Sequence, residues 1–265
     1  MRAVTPTRTQ TERADQTRAR ILDAAILQFG ANGLAGARTE QIAEAAGVNK
    51  ALLYYYFNSK ETLYSAAIET VVEGTRAASM AVLEADVSAG ERFLQIVLGN
   101  FDRTYSNPAF QSLMQQEMIR MHRGEANALA LLAEKFIRPM WLKIREIVEA
   151  GVASGELISA EWSQMLCTAL GANVFYRLSA PLIGLTLGFD PLERSALEFR
   201  RKAAIEYLGL AIFIDREHGA RVAARVLAAT PMPKSKGIKT KKPAKHAIET
   251  GLNRLDEVRS NERTK

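Results

Sequence analysis

The sequence predicts an all-α protein, and three observations carry that expectation. Apolar residues make up 48% of the chain but aromatics only 7%, and much of the remainder is Ala, Leu and Ile, a balance that favours helices. Apolar side chains recur three and four residues apart in segment after segment, the spacing of one helix face. No segment alternates apolar and polar residues between turn signals, as a half-buried strand would.

The elements follow in chain order. Residues 1–16, with Arg2, Arg8 and Arg13, read as a flexible basic arm. Ile21, Leu22, Ala25, Ile26 and Phe29 place one stripe on a first helix over 17–32, stopped at Asn32-Gly33. Thr39 reads as the N-cap of a short helix carrying Ile42, Ala43 and Ala46, with Glu40 in its first turn. Gly47 ends that helix, and Asn49 caps a third over about 50–56. Asn58-Ser59-Lys60-Glu61 has capping-box spacing and opens a fourth, which runs unbroken to about Asp86. Further helices are expected at 90–105, 110–122, 125–153, 159–178, 191–214 and 217–229. The breaks between them fall at Asn107-Pro108, Gly151 to Gly155 and Pro181 to Gly188. The segment from Pro231 to His246 holds three Pro and six Lys and is expected to be disordered. A short helix over 247–259 follows it. This divides the chain into an arm (1–16), a helix-turn-helix domain (17–70), a larger helical domain (71–230) and a basic tail (231–265).

Charge does not mark the helix-turn-helix. The formal net charge is +6. Residues 1–70 are nearly neutral and 71–215 slightly acidic, so the excess lies at the C-terminal end. The lysine tail is read two ways: as a solubilising end, or as a source of nonspecific, salt-sensitive DNA affinity. The chain has one cysteine, Cys167, which excludes an intrachain disulfide framework and a cysteine-based zinc site. His122, Cys167 and His218 have no neighbouring ligands at metal spacing. No metal, cofactor or catalytic residue is expected. There is no His-Glu-x-x-His run, phosphate-cradling glycine loop or nucleophile elbow. Residues 1–16 lack a secretory apolar region, and no window holds the ~20 apolar residues of a spanning helix. A soluble, cytoplasmic protein with no membrane partner is the expectation.

The function-bearing segment is 39-TEQIAEAAGVNKALLYYYF-57. Gly47 provides the sharp turn and Val48 plugs the space between two helices. On a helical wheel, Leu53, Tyr56 and Phe57 share one side, to be buried with Ile42, Ala46 and Phe29. Lys50, Ala51, Tyr54 and Tyr55 share the other, with Leu52 at the edge. Phenol hydroxyls and a lysine on an outward face suit phosphate and base-edge contacts. Ala51 permits close approach to the major groove, and Leu52 suits a thymine methyl. The helix N-termini at Thr39 and Ser59 suit phosphates, with Lys60 adding charge at the second.

The run from Gly47 to Phe57, followed by Ser59-Lys60-Glu61 and Leu63, resembles the signature of the TetR (tetracycline-repressor-like) family. Ile21-Leu22, Ala25, Phe29, Gly33, Thr39, Ile42-Ala43 and Ala46 fit the same pattern. The resemblance covers about 17–64. It implies an all-α homodimer that binds a pseudo-palindromic double-stranded operator, usually as a repressor. It also implies a C-terminal domain that dimerises and often holds a small-molecule effector. The DNA-contact positions it carries over are Thr39, Asn49, Lys50, Ala51, Leu52, Tyr54, Tyr55 and Lys60. Two departures are visible: Asn49 stands for the commoner Ser or Thr, and Leu52 stands where a small or polar residue is frequent. The dimer face is expected on 159–178 and 191–214, where Ala169, Gly171, Ala172, Ala203, Ala204 and Gly209 permit close packing. Effector residues stay unassigned: Trp141, Trp162, Met114, Met118, Phe101, Tyr105, Phe175 and Tyr176 are read as core or as pocket lining. The alternative function is an architectural DNA binder dominated by the lysine tail.

Overall fold

The first helix is longer than its apolar stripe. The computed structural model describes residues 8–125 and 128–233, and α1 spans Arg8–Gly36. Residues 8–16, expected as part of a flexible arm, are its N-terminal turns. Once the packed segment from Ile21 to Phe29 has nucleated, extension costs little where no Gly or Pro intervenes. Gly33, at φ 67, breaks the helical geometry at the expected place, and one further turn follows. The basic tail beyond residue 233 and the expected helix over 247–259 lie outside the described residues.

Two short helices and the start of a long one complete the N-terminal part: α2 (Thr39–Ala46), α3 (Lys50–Phe57) and α4 (Lys60–Leu83). Then come α5 (Ala89–Ser106), α6 (Pro108–His122), α7 (Ala128–Leu132), a π turn (Ala133–Ile137) and α8 (Arg138–Ala153). The last are α9 (Trp162–Leu178), α10 (Ala180–Leu187), α11 (Arg194–Ile212) and α12 (Arg216–Ala229). The described residues contain no strand, only one isolated bridge between Leu157 and Phe213.

Two elements differ from expectation. The break expected from Pro181 to Gly188 is a helix, α10. Pro181 sits in its first turn, where the missing N–H is not needed, and Gly188 closes it at φ 73. The two supposed breakers are its start and stop signals. The continuous helix expected over 125–153 is instead interrupted by the π turn. Pro139, in the first turn of α8, cannot donate to the preceding turn and its ring crowds that turn's carbonyl; the wider π turn absorbs this.

The helices enclose two main cores. The first joins Ile21, Ala25 and Phe29 of α1 to Ile42, Leu53, Leu63 and Ile68. Ala109 and Leu113 of α6 and Leu129 and Leu132 of α7 belong to the same core. It therefore runs across the boundary expected at residue 70. Phe29 meets Tyr64 edge-to-face at 4.9 Å. The second core lies among α5, α8, α9, α11 and α12, around Phe93, Val148, Leu166, Phe213 and Val222. Arg201 ties α11 to α5 through two bonds to Asp102, at 2.7 and 2.9 Å, and donates a third to the Thr230 carbonyl.

The small residues expected at a dimer face divide. Ala169 is buried in the second core, and Gly209 is buried against Gly219 and Ala223 of α12. Gly171 and Ala172 are exposed, and Ala203 and Ala204 half-buried. Large apolar side chains of α9, α10 and α11 are exposed beside them, among them Phe175, Leu178, Leu182, Leu187, Phe199 and Tyr207. Phe199 is 76% exposed.

Candidate nucleic-acid interface

The turn between α2 and α3 is built by backbone chemistry. Gly47 adopts φ 66, ψ 38, a left-handed conformation that only glycine takes without strain. The Val48 N–H donates to the Ala43 carbonyl, and the Gly47 N–H to that of Glu44, both at 3.0 Å. These two bonds satisfy the last carbonyls of α2 as a Schellman motif. Val48 packs, half-buried, on the first core. Asn49 then caps α3 by accepting a bond from the Leu52 N–H at 2.7 Å. Asn49→Ala is expected to destabilise the fold by about 1 kcal/mol. A drop in thermal midpoint of wild-type and variant protein measured side by side checks this.

On α3, Leu53 and Phe57 are buried and anchor the helix with Ile42 and Ala46. Arg18 of α1 lies over the Phe57 ring at 5.3 Å. Lys50, Ala51, Leu52 and Tyr55 face outward. Tyr55 is 78% and Leu52 36% exposed, as the wheel places them. Tyr56 is half-buried against the core, and so is Tyr54, which the wheel places outward.

Thr39 is not a cap. Arg38 occupies the N-cap position of α2, with no side-chain bond, and Thr39 is the first helical residue. Its side chain is only 6% exposed, and its hydroxyl lies 3.3 Å from the Tyr54 hydroxyl. The extended backbone at Arg38, ψ 128, starts the helix one residue earlier than the sequence suggests. That turns Thr39 inward onto α3. The next cap is displaced the other way. The capping box at α4 pairs Ser59 with Thr62, not Asn58 with Glu61. Asn58 bends the chain at φ 55.

Two cations sit at the helix ends. Lys50 bonds the Glu40 carboxylate, which holds Glu40 below its usual range and raises Lys50. The pair is exposed and screened by water, so it holds Lys50 only weakly. Lys60 donates to the Ala35 carbonyl at 3.2 Å, bracing the start of α4 against the end of α1.

A cavity of about 360 Å³ lies among α4, α5, α6, the π turn, α8 and α9. Met114, Met118 and Trp141 line it. Trp162 packs on the second core instead, Phe101, Tyr105 and Tyr176 form a small separate cluster, and Phe175 is exposed. Sequence reasoning missed Phe110, Gln111 and Phe136 of its wall. The signal available was a glutamine inside the apolar Phe110–Met114–Met118 stripe of α6. Next to the wall residue Met118, the buried Glu117 of α6 accepts a 2.6 Å bond from the Tyr64 hydroxyl of α4. Among the described residues no group of three metal-ligating side chains is found. No single helix there is long and apolar enough to cross a membrane; α9 and α10 pass that test only together, bent by 63°.

Two family descriptions match the chain. "Bacterial regulatory proteins, tetR family" matches residues 21–67, and "Tetracyclin repressor-like, C-terminal domain" matches 91–208. The HTH-type transcriptional repressor NicS of Pseudomonas putida is 32% identical over 147 residues, spanning 54% of this chain and 67% of the relative. The HTH-type transcriptional regulator RutR of Escherichia coli K12 is 30% identical over 175 residues, spanning 63% and 77%. Among solved structures, a gamma-butyrolactone receptor (ArpA-like protein) superposes with a TM-score of 0.56 at 20% identity, covering 82% of this chain and all of the other. A TetR-family regulatory protein from Rhodococcus RHA1 gives a TM-score of 0.56 at 21% identity, covering 71% and 94%. With its glycine-turned helix pair, its outward α3 face and both halves matched, this chain belongs to the TetR family of bacterial regulators and is a DNA-binding transcription regulator.

Proposed function

We propose that the protein binds a pseudo-palindromic operator as a homodimer, represses transcription there, and is released by a small molecule in the cavity below α4. The observation that carries this reading is the outward face of α3. Lys50, Ala51, Leu52 and Tyr55 are exposed on a helix anchored by Leu53 and Phe57. In the bound state Lys50 exchanges Glu40 for a phosphate, and Ala51 and Leu52 meet bases. Tyr55 bonds a phosphate, and Thr39 holds the Tyr54 hydroxyl in position to do the same. Asn49 and Lys60 complete the backbone contacts at the N-termini of α3 and α4. Residues 17–70 form the DNA-reading part, and 71–230 carry the dimer face and the effector cavity.

A dimer is needed because half-sites lie about 34–36 Å apart, or a multiple of that. The exposed apolar side chains of α9, α10 and α11 support a second copy as what covers them. Release is a coupling between two sites. The Phe29–Tyr64–Glu117 contact, which links the first core to the cavity-lining helix α6, supports a short route for it.

Selection of bound sequences from random DNA tests the reading. An enriched palindrome with about one-turn half-site spacing is expected. Lys50→Ala is expected to weaken binding evenly across sequences, and to flatten the salt dependence by about two in log–log slope, one per protomer. Failure to enrich any palindrome sinks the proposal. Binding that survives Lys50→Ala but vanishes on deleting 231–265 favours the architectural reading.

A further inference from the structure

The cavity wall contains an amide with no partner inside the protein. Gln111 of α6 is only 8% exposed, yet its side-chain amide has no hydrogen-bond partner among the described residues. Its polar atoms are not among those fully shut off from solvent without a partner, so the amide stays reachable beside the cavity it lines. A ligand group that matches both its donor and its acceptor can pair with it there. Asn100 of α5 lines the same cavity. Its carbonyl oxygen accepts a 3.1 Å bond from Asn173, leaving its NH2 group unengaged. The cavity is thus offered amide donors and one amide acceptor, with no free charge beside them.

The charged group and the hydroxyl of the wall are engaged within the protein. Arg76 is the one charged residue in the wall. It is bound by Glu73 through two bonds, Nε to Oε2 at 2.9 Å and Nη2 to Oε1 at 2.6 Å, so the pair is neutral. The Thr75 hydroxyl donates to the Val71 carbonyl at 3.1 Å. An anionic ligand would have to displace the Glu73 carboxylate from the guanidinium, and a cationic one would find no free carboxylate in the wall. The rest of the wall is apolar and soft: Met114, Met118 and Met140 stand among Phe110, Phe136 and Trp141. Thioethers and aromatic faces together favour a flat ring. A volume of about 360 Å³ is near the lower end of small-molecule sites, roughly 300–1,000 Å³, and suits a compact molecule.

We infer that this cavity selects an uncharged, compact ring compound bearing one amide-like head, which accepts from and donates to the Gln111 amide, with the Asn100 NH2 as a second donor. The inference rests on the reading of the cavity as the effector site and names the class of effector.

Equilibrium dialysis of the full-length protein against three probes of one shape tests it: 2-naphthamide, 2-naphthoate and 2-acetylnaphthalene. The amide is expected to bind about tenfold more tightly than the carboxylate and than the ketone, which lacks the donor. Gln111→Met keeps the side-chain volume and is expected to erase the preference of amide over ketone. Naphthoate binding as well as naphthamide overturns the assignment, as does equal binding of amide and ketone or no binding of any probe. A preference unchanged in Gln111→Met does the same. If that variant does not fold, as judged by its melting curve, the wild-type ratios decide alone. Band shifts on the selected operator separate this from the underlying reading. Naphthamide bound with the expected preference but without effect on operator affinity leaves the ligand class standing and removes the effector role. Release by naphthoate alone keeps the effector role and removes the class.

Discussion

Glu117→Ala is expected to destabilise the protein by about 3 kcal/mol, measured by urea unfolding of the wild type and variant. The Glu117 side chain is fully buried. It accepts from the Tyr64 hydroxyl at 2.6 Å, the Arg120 Nη1 at 3.1 Å and the Leu129 N–H at 3.4 Å. Removing the carboxylate strands a buried phenol and a backbone donor, and leaves Arg120 to Glu125, its partner at 2.9 Å. That second partner and the partial exposure of Arg120 place the expected cost at the lower end of the range for a broken buried pair, about 3–5 kcal/mol. Tyr64→Phe is expected to cost less, about 1–2 kcal/mol, because it removes one bond and no charge. The same site sets an alkaline limit. Burial, and then the bond to Glu117, push the Tyr64 hydroxyl well above its ordinary value of 10. A group with its folded pKa raised contributes stability that is complete below the unfolded value and is lost as pH rises above it. Stability is therefore expected to fall above pH ~10 more steeply in the wild type than in Tyr64→Phe. Equal cost for both variants would place the stabilisation in the phenol and not in the carboxylate.

Gly219→Val is expected to be still more disruptive, by more than about 3 kcal/mol. The helices α11 and α12 meet backbone to backbone at Gly209 and Gly219. A β-carbon on Gly219 would overlap the Gly209 carbonyl oxygen and stand 2.8 Å from the Phe213 ring. A β-carbon on Gly209 would stand 2.6 Å from the Gly219 oxygen. Backbone atoms cannot swing aside as a side chain can, so the two helices must separate, opening the core around Phe213, Val222 and Val226. Gly74→Ala is the matched control. A β-carbon there meets nothing within 4 Å, and the change is expected to be neutral or to stabilise by up to about 1 kcal/mol. Denaturation midpoints of the two variants decide the matter; similar values for both would show that α11 and α12 do not depend on this contact.

Neither contact is announced by the sequence, because each joins residues of two separate helices; the helix-turn-helix is. Gly47, Val48 and Asn49 act locally: a left-handed glycine and a side-chain cap need only their neighbours, so their pattern is readable before any fold is known. The same holds for Leu53 and Phe57 inward and for Lys50, Ala51 and Tyr55 outward, since helical period alone sorts them. Thr39 was less legible. Its facing depends on whether the helix begins at it or one residue earlier, and the tertiary contact with Tyr54 accompanies the earlier start. In isolation Pro181 and Gly188 each read as a helix breaker; placed seven positions apart with apolar residues between, they bracket a helix.

By itself the sequence determined the all-α class, the helix-turn-helix between Thr39 and Phe57, and the outward facing of Lys50, Ala51, Leu52 and Tyr55, but not the half-buried place of Tyr54. Each of those rests on interactions within one or two helical turns. Tertiary structure alone decided which distant residues meet. It placed Glu117 beside Tyr64, Gly209 against Gly219, and Gln111 in a cavity wall without a partner. It also put Ala169 and Gly209 in the interior and left large apolar side chains on the outside of α9, α10 and α11. The physical reason is range. Caps, turns and periodicity are encoded by neighbours in the chain, whereas burial of a polar group, or contact of two backbones, depends on which helix packs against which.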